Sequence, residues 1–323
     1  MHIPVSVIIP VYNSAQHLDV CLKALSKSTR APDECIVVDD GSTDASVEVA
    51  RQAGTRVLET GGRRGPSRAR NIGAAAARFD LLVFLDADVA IHKGTLAGIV
   101  QRFEEEPDLD ALIGSYDDEP SSPDFLSQYR NMQHCYVHRQ GGRLASTFWT
   151  GCGAVRRTVF LEHGGFDESR WAIEDIEFGY RMHAASRRIV LDPSLQVKHL
   201  KRWTFGNWLR TDIFVRAIPW TEVILKYRRM PNDLNTGWTD RASVACVFAI
   251  PPAAVLGGPL PAALLLVLVL WLNRGFYAFL GRKRGWWFAV RAVPVHLVYM
   301  IYSGAGFAIG VAKHTLKHAA AGR

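Results

Sequence analysis

Through the first 90 residues, strand-length apolar runs alternate with segments of helical spacing, and few folds accept that order. "VSVIIPVYN", "ECIVVDD", "TRVLET" and "DLLVFLDAD" are separated by "AQHLDVCLKALSKS", by a predicted helix from about Thr43 to Gln52 and by another from about Ser67 to Arg78. Strands joined by helical crossovers predict an α/β domain, a parallel sheet with helices on both faces. In such sheets the ligand lies beyond the carboxyl ends of the strands. The conspicuous polar residues Asn13, Asp39, Asp40, Asp86 and Asp88 all fall at those ends.

Two of the ends carry charge that a strand does not need. In "CIVVDDGSTD", Gly41 allows a tight turn and Ser42, Thr43 or Asp44 can cap the next helix. That leaves two adjacent acids on an apolar strand unexplained, and a carboxylate there can accept hydrogen bonds from a nucleobase imide and a ribose hydroxyl. "LLVFLDADVAI" places Asp86 and Asp88 one residue apart, on the same side of an extended chain. The two charges repel, and a hard divalent cation, Mg2+ or Mn2+, removes that penalty while bridging to a diphosphate.

Further along, the pattern from about Arg143 to Asp192 is irregular. It contains "TFWTGCGAVRRTVF", a turn at "EHGGFDE" and a helix with "AIEDIEFGYRMHAA". Glu177 and Arg181, four residues apart, are read as an ion pair on a helix surface. "SLQVKHLKRWT" predicts a short strand and a loop. "FGNWLRTDIFVRAIPWTEVILKY" interleaves Trp and Arg with apolar residues, as a helix in a membrane interface does and as a surface helix also can.

Ala242 to Asn273 carries no charge, and Ala292 to Ala312 none apart from a protonatable His296. At about 1.5 Å per residue the second stretch spans a hydrocarbon core about 30 Å thick once. The first predicts a hairpin interrupted at "IPPAAVLGGPLP", its second limb running through Gly281 with Arg274 buried in protein or snorkelling. A buried pair of core helices is the alternative. The predicted boundaries are 1–205 for the α/β domain, 206–241 for an interfacial segment, 242–312 for two to three membrane segments and 313–323 for a basic tail.

"MHIPVSVIIPVYN" enters strand sequence with no basic, signal-like lead, which predicts a cytoplasmic domain attached to the inner or plasma membrane. Five scattered cysteines, Cys21, Cys35, Cys135, Cys152 and Cys246, show no CxxC spacing and are read as free thiols in a reducing compartment. The net charge of +7 includes basic clusters such as "RKR" at 282–284, between apolar stretches. That placement suits membrane lipids rather than nucleic acid as the partner.

In order and spacing these pieces resemble the family 2 glycosyltransferases, inverting enzymes of the GT-A fold, a Rossmann-like nucleotide-binding sheet. The resemblance runs from about Val5 to Trp203. It includes "VSVIIPVYN" as opening strand, "VVDDGSTD" as nucleotide-binding turn, "GPSRARNIGAA" as the helix over the sugar nucleotide, "FLDAD" as metal motif, "GGFDE" as the turn before the acceptor region and "EDIEFGYR" as catalytic helix.

The resemblance implies that Pro10, Tyr12, Asn13, Asp39, Asp40, Arg70 and Asp86 bind the nucleotide sugar. Within that set Asp40, with Asp39, is the implied acceptor from uracil and ribose, and Arg70 the residue that reaches the nucleotide or its phosphates. Asp86 is implied at the ribose or a metal-bound water, and Asp88 at the metal. Asp175 is the implied general base with Glu174 beside it, and a helix start favours its ionised form. "HLKRW" resembles the QxxRW element of processive synthases, but His199 replaces the glutamine, so processivity does not follow. His199 is either a metal or diphosphate ligand or a structural histidine. Trp203 either stacks on an acceptor sugar or packs at a membrane interface.

The expected activity is metal-dependent transfer of a sugar from a UDP-sugar to a hydroxyl of a lipid, a lipid-linked saccharide or another glycan. This belongs to the chemistry of cell-envelope polysaccharides. A polyprenyl-phosphate glycosyl synthase is the neighbouring alternative, but a phosphate acceptor needs no base and the "ED" pair is intact. An inactive, transferase-like membrane scaffold is the other. A dinucleotide-dependent oxidoreductase is disfavoured, since "PVYNSAQHL" has no glycine where GxGxxG belongs.

Overall fold

The computed structural model describes residues 3–321, with side chains to 317. The chain forms two units, Met1–Arg202 and Trp203–Arg323. The N-terminal unit runs β1 (Val5–Val11), α1 (Ala15–Ser26), β2 (Glu34–Asp39), α2 (Ser46–Gln52), β3 (Arg56–Glu59), α3 (Pro66–Ala76), β4 (Leu81–Leu85) and β5 (Val89–Ile91). It continues with α4 (Thr95–Glu105), β6 (Ala111–Tyr116), α5 (Phe125–Gln140), β7 (Cys152–Arg156), α6 (Arg157–Glu162), α7 (Glu174–Ala184) and β8 (Ile189–His199).

All eight strands form one sheet in the order β3-β2-β1-β4-β7-β6-β8-β5. The predicted parallel sheet is its first half, where β3, β2, β1 and β4 pair in parallel. Beyond β4 the sheet is mixed: β7 is antiparallel to β4 and β6, and β5 is antiparallel to β8. This mixed α/β sheet with flanking helices is the GT-A fold. The apolar residues that resume after Asp88 belong to a separate strand at the opposite edge, where Val89 pairs with His199. Asp86, Ala87 and Asp88 therefore form the step between two strands, not the end of one.

The residues of β1 and β4 are apolar on both faces because both faces are covered; Val7, Ile8, Ile9, Val83, Phe84 and Leu85 have no solvent exposure. A cluster of phenylalanines sets the position of α7. Phe84 of β4 lies 5.2 Å from Phe166 of the "GGFDE" turn, which lies 5.3 Å from Phe178 of α7. The strand leading into "DAD" and the helix opening with "ED" are thus held against one core.

Two local expectations change. Helix α2 begins at Ser46 and not near Thr43, because the Asp44 carboxylate accepts from the amides of Ala15 and Ser46 and holds the preceding residues as a turn. The strand carrying His199 is eleven residues long. Pro193 is accommodated in it beside a shift in register between Ile113 and Ser115.

The C-terminal unit contains α8 (Phe205–Arg210), a π-helical stretch (Thr211–Ala217), α9 (Ile218–Tyr227), a 3-10 turn (Leu234–Thr236), α10 (Trp238–Gly257), α11 (Pro259–Leu272), α12 (Arg274–Arg284) and α13 (Trp286–Ala321). The predicted helix runs without a break from Phe205 to Tyr227 through the π-helical stretch, and its Trp208 is fully buried, with Nε1–H donating to buried Asp212 at 3.0 Å. Asp212 also accepts from the Tyr302 hydroxyl. The hairpin turns at Gly258, and its second limb bends by 60° between α11 and α12. Arg274 is exposed, over the Trp271 ring at 4.3 Å.

Helices Trp238–Gly257 and Trp286–Lys317 are long and apolar enough to cross a membrane, and the bent pair makes a third if counted as one span. On α13, Gly306 and Gly310 face Ala217 and Thr221, at distances where a Cβ would collide. This is the small-residue packing by which apolar helices approach closely. Residues 322 and 323 of the basic tail, and 1 and 2 of the N-terminal stretch, lie outside the described residues.

Candidate active site

A cleft of about 510 Å³ opens at the carboxyl ends of β1, β2 and β4. Pro10, Tyr12, Asn13, Asp40, Arg70, Asp86 and Asp88 line it, together with His17 and Lys201. Seven of the residues expected at a nucleotide-sugar site or metal are therefore brought together, and Asp39 is not among them.

The acids of "VVDDGSTD" have structural work to do. The Asp39 carboxylate turns back to the amides of Gly41 and Ser42 at 3.1 Å and so closes the turn. Asp40 accepts from the Thr60 hydroxyl (2.9 Å) and from the backbone N–H groups of Arg64 (2.8 Å) and Gly65 (2.9 Å), which tethers the loop before α3. Asn13, at φ 46°, accepts from the Thr43 amide at 2.7 Å. Asp39 is thus explained by the turn itself and Asp40 by a loop later in sequence, and Asp40 still faces the cleft.

Arg70 is buried, and its guanidinium joins two carboxylates. It donates to Asp86 at 2.6 Å and to Glu174 in a shorter contact. A group placed in this way ties the segment after β4 to the start of α7 while it also lines the cleft. Burial pushes the Glu174 carboxyl up to about 7; Arg70 pulls against that shift and Asp175 adds to it.

Asp175 is half-buried in the first turn of α7. Its Oδ1 accepts from the Ile176 amide at 2.8 Å and its Oδ2 from the Thr150 amide at 3.2 Å. Ile173, just before the helix, has φ 57°, a strained conformation for a β-branched residue and of the kind that gathers at functional sites. Glu177 and Arg181 do pair, at 2.9 Å. The pair is not on the surface, because Glu177 is 1% exposed and Arg181 also donates to the carbonyls of His163 and Gly165.

Gly179 sets how closely α7 approaches the 147–150 segment. A Cβ there would lie 2.3 Å from the Phe148 amide nitrogen and 2.5 Å from Thr147 backbone atoms. Gly179→Ala is expected to cost about 1–3 kcal/mol by overpacking and to lower activity by drawing Asp175 away from Thr150. Urea unfolding and nucleotide-release rates on the same preparation would show both effects.

His199 and Asp88 come together as expected, Nε2 to Oδ2 at 3.8 Å, and Leu200 N–H donates to the Asp88 carbonyl at 2.9 Å. Burial alone would raise the Asp88 carboxyl. The neighbouring His199, with the charges of Lys201 and His17, outweighs it and holds the group at about 2. An ionised carboxylate beside an imidazole fits a divalent cation. Among the described residues no group of three or more His, Cys, Asp or Glu side chains is placed to hold one, so diphosphate oxygens and water would complete the coordination. The nitrogen donor suits Mn2+ better than Mg2+.

Sequence reasoning passed over Lys201, His17, Thr150, Arg63 and Trp171. Lys201 follows His199 by two residues at the end of β8, a same-side spacing that was legible. The others reach the site from unconnected segments and leave no sequence signal.

With this geometry in place, similarity to known proteins decides the family. Residues 6–164 match the pattern described as glycosyl transferase family 2. The chain carries a family 2 glycosyl transferase domain. It is 33% identical over 221 residues to validoxylamine A glucosyltransferase of Streptomyces hygroscopicus subsp. limoneus, covering 57% of this chain and 49% of that one. It is 32% identical over 117 residues to glycosyltransferase GlyG of Streptococcus pneumoniae, covering 35% and 38%. The chain thus spans half or less of the length of these two relatives. Among solved structures, mannosyltransferase PcManGT from Pyrobaculum calidifontis, in complex with GDP-Man and Mn2+, has the same fold at a TM-score of 0.63. There the identity is 21%, over 93% of this chain and 88% of that one.

Proposed function

We propose that the protein is an inverting glycosyltransferase that moves a sugar from a nucleoside-diphosphate sugar to a hydroxyl acceptor. The observation that carries this is Asp175, a carboxylate oriented by Thr150 and Ile176 at a helix N-terminus. It shares a network with Arg70 and Asp86, which line the donor cleft.

Asp175 takes the proton of the acceptor hydroxyl as its oxygen attacks the anomeric carbon. The C–O bond to the diphosphate breaks on the opposite face, which inverts the configuration. Arg70 holds Asp86 and Glu174 in place, and Lys201 faces the charge that develops on the leaving diphosphate. A divalent cation held by Asp88 and His199 would supply charge neutralisation to that diphosphate. UDP is the proposed nucleotide, on the resemblance of the strand ends. A lipid or lipid-linked saccharide at the cytosolic membrane face is the proposed acceptor, on the two helices long and apolar enough to span. The intact acid pair favours a hydroxyl over a phosphate acceptor.

Nucleoside-diphosphate release by detergent-solubilised protein, offered Mn2+ with a panel of UDP-sugars and GDP-mannose, tests this reading. EDTA is expected to abolish turnover, and Asp88→Ala to lower it by about a hundredfold or more. Turnover indifferent to both would remove the metal from the scheme. Nucleotide binding without turnover on any donor would favour a transferase-like scaffold.

A further inference from the structure

The loop between β3 and α3 carries an arginine that the catalytic scheme leaves unused. Its guanidinium carbon lies 4.4 Å from the centre of the Tyr12 ring and 5.6 Å from that of Trp171. The three side chains come from separate segments: the turn after β1, the loop before α3 and the loop before α7. Tyr12 and Trp171 are 38% and 57% exposed, and Arg63 is exposed as well. No carboxylate pairs with Arg63 among the described residues.

The loop is tied at both ends, and its exposed side chain is Arg63. Asp40 ties down Thr60, Arg64 and Gly65. Gly61 and Gly62 have φ of 75° and 111°, and a Cβ at either would meet nothing within 4 Å. The backbone of the tip rests against Gly41, and the Gly62 carbonyl accepts from the Thr60 hydroxyl, so the part free to change position is the exposed Arg63 side chain. Tyr12 is a large aromatic ring on a cleft wall that also carries Asp40 and Asn13, whereas Asp88 and Lys201 mark the part suited to charge.

We propose that Arg63 is a nucleobase clamp. The base of the donor nucleotide lies on Tyr12, and the flat guanidinium, now resting on that ring, moves outward to cover the base from the solvent side. Trp171 borders the outer position. The chemistry suits this arrangement, since bases stack on aromatic rings and on guanidinium planes whatever their identity. Lysine has no such plane. Asp40 then acts as a positioning residue, because it sets where the loop leaves the sheet. The inference rests on the nucleotide-sugar donor of the domain, and it adds a donor-binding residue that neither the strand ends nor the acid pair contains.

Isothermal titration of the detergent-solubilised full chain with UDP, with GDP and with inorganic pyrophosphate, each with Mn2+, separates the outcomes. Arg63→Ala is expected to weaken both nucleotides by about five- to thirtyfold and to leave pyrophosphate unchanged. Arg63→Lys is expected to recover only part of the loss. The melting temperature should not move, because the side chain is exposed. Nucleotide affinity unchanged in Arg63→Ala would overturn the clamp, and so would equal weakening of pyrophosphate, which would make Arg63 a phosphate ligand. Wild-type protein that bound neither nucleotide would overturn the clamp and the donor reading together.

Discussion

Asp175→Asn is expected to lower kcat by about 10²–10⁴-fold, the range a positioned general base supplies. The change is nearly isosteric. Asparagine keeps one carbonyl oxygen for either the Thr150 or the Ile176 amide, so no more than about 1 kcal/mol of stability should follow from the other. Donor affinity should stay within about twofold, since the side chain acts on the acceptor. The measurement is steady-state nucleotide release at saturating donor, beside titration of the donor and a thermal melt. A fall in kcat with unchanged donor affinity supports the base. Undiminished turnover would mean an acceptor that is already ionised, as a phosphate is, and would favour the polyprenyl-phosphate alternative. A lost melt would mean that the helix start itself had been damaged, and Asp175→Glu would then tell geometry from chemistry.

The second large effect belongs to stability. Arg70→Ala removes the partner of two carboxylates at once, Asp86 at 2.6 Å and Glu174. Removing one member of a buried ion pair costs about 3–5 kcal/mol, because the charge left behind has neither water nor partner. The lower end is expected here. Asp86 keeps some access to solvent, its side chain being 30% exposed, and Glu174 can take up a proton, since burial already holds it at about 7. About 3 kcal/mol corresponds to a fall in Tm of roughly 6–12 °C for a domain of this size. Circular-dichroism melts of the wild type, Arg70→Ala and the double variant Arg70→Ala/Glu174→Gln would check it. The double variant should recover part of the loss, because it no longer buries an unpaired carboxyl. A single-variant shift below about 2 °C would show that the network is screened and that Arg70 is available to the donor after all.

How much of this was legible depended on sequence distance. The parallel half of the sheet could be read because strands and crossover helices alternate along the chain there, and the apolar residues of each strand are contiguous. The mixed half could not. Strands β5 and β8 are separated by about a hundred residues, and β5 has three residues, too few for a pattern of their own. The site residues on strand ends were legible because buried strands tolerate carboxylates only where the sheet stops. Their partners were not, since Thr60, Arg64 and Gly65 for Asp40, and Thr150 for Asp175, are chosen by packing across the sheet. The bond from Trp208 to Asp212 was not legible for a related reason: a Trp beside Arg reads the same in sequence whether its ring is buried or lies at an interface.

Asp175 came from the resemblance to the glycosyltransferases, whereas order, periodicity and the chemistry of strand ends determined the α/β class and singled out the acids Asp40, Asp86 and Asp88. These are local properties, fixed by which side chains an extended or helical backbone can expose and bury. Only the tertiary structure decided that "DAD" steps between two strands, that His199 arrives beside Asp88 through the pairing of β5 with β8, and that Arg70 joins Asp86 to Glu174. It also placed Arg63 on Tyr12. Each of these is a contact between segments far apart in sequence, and only the common core of Phe84, Phe166 and Phe178, with the sheet around it, brings those segments within reach.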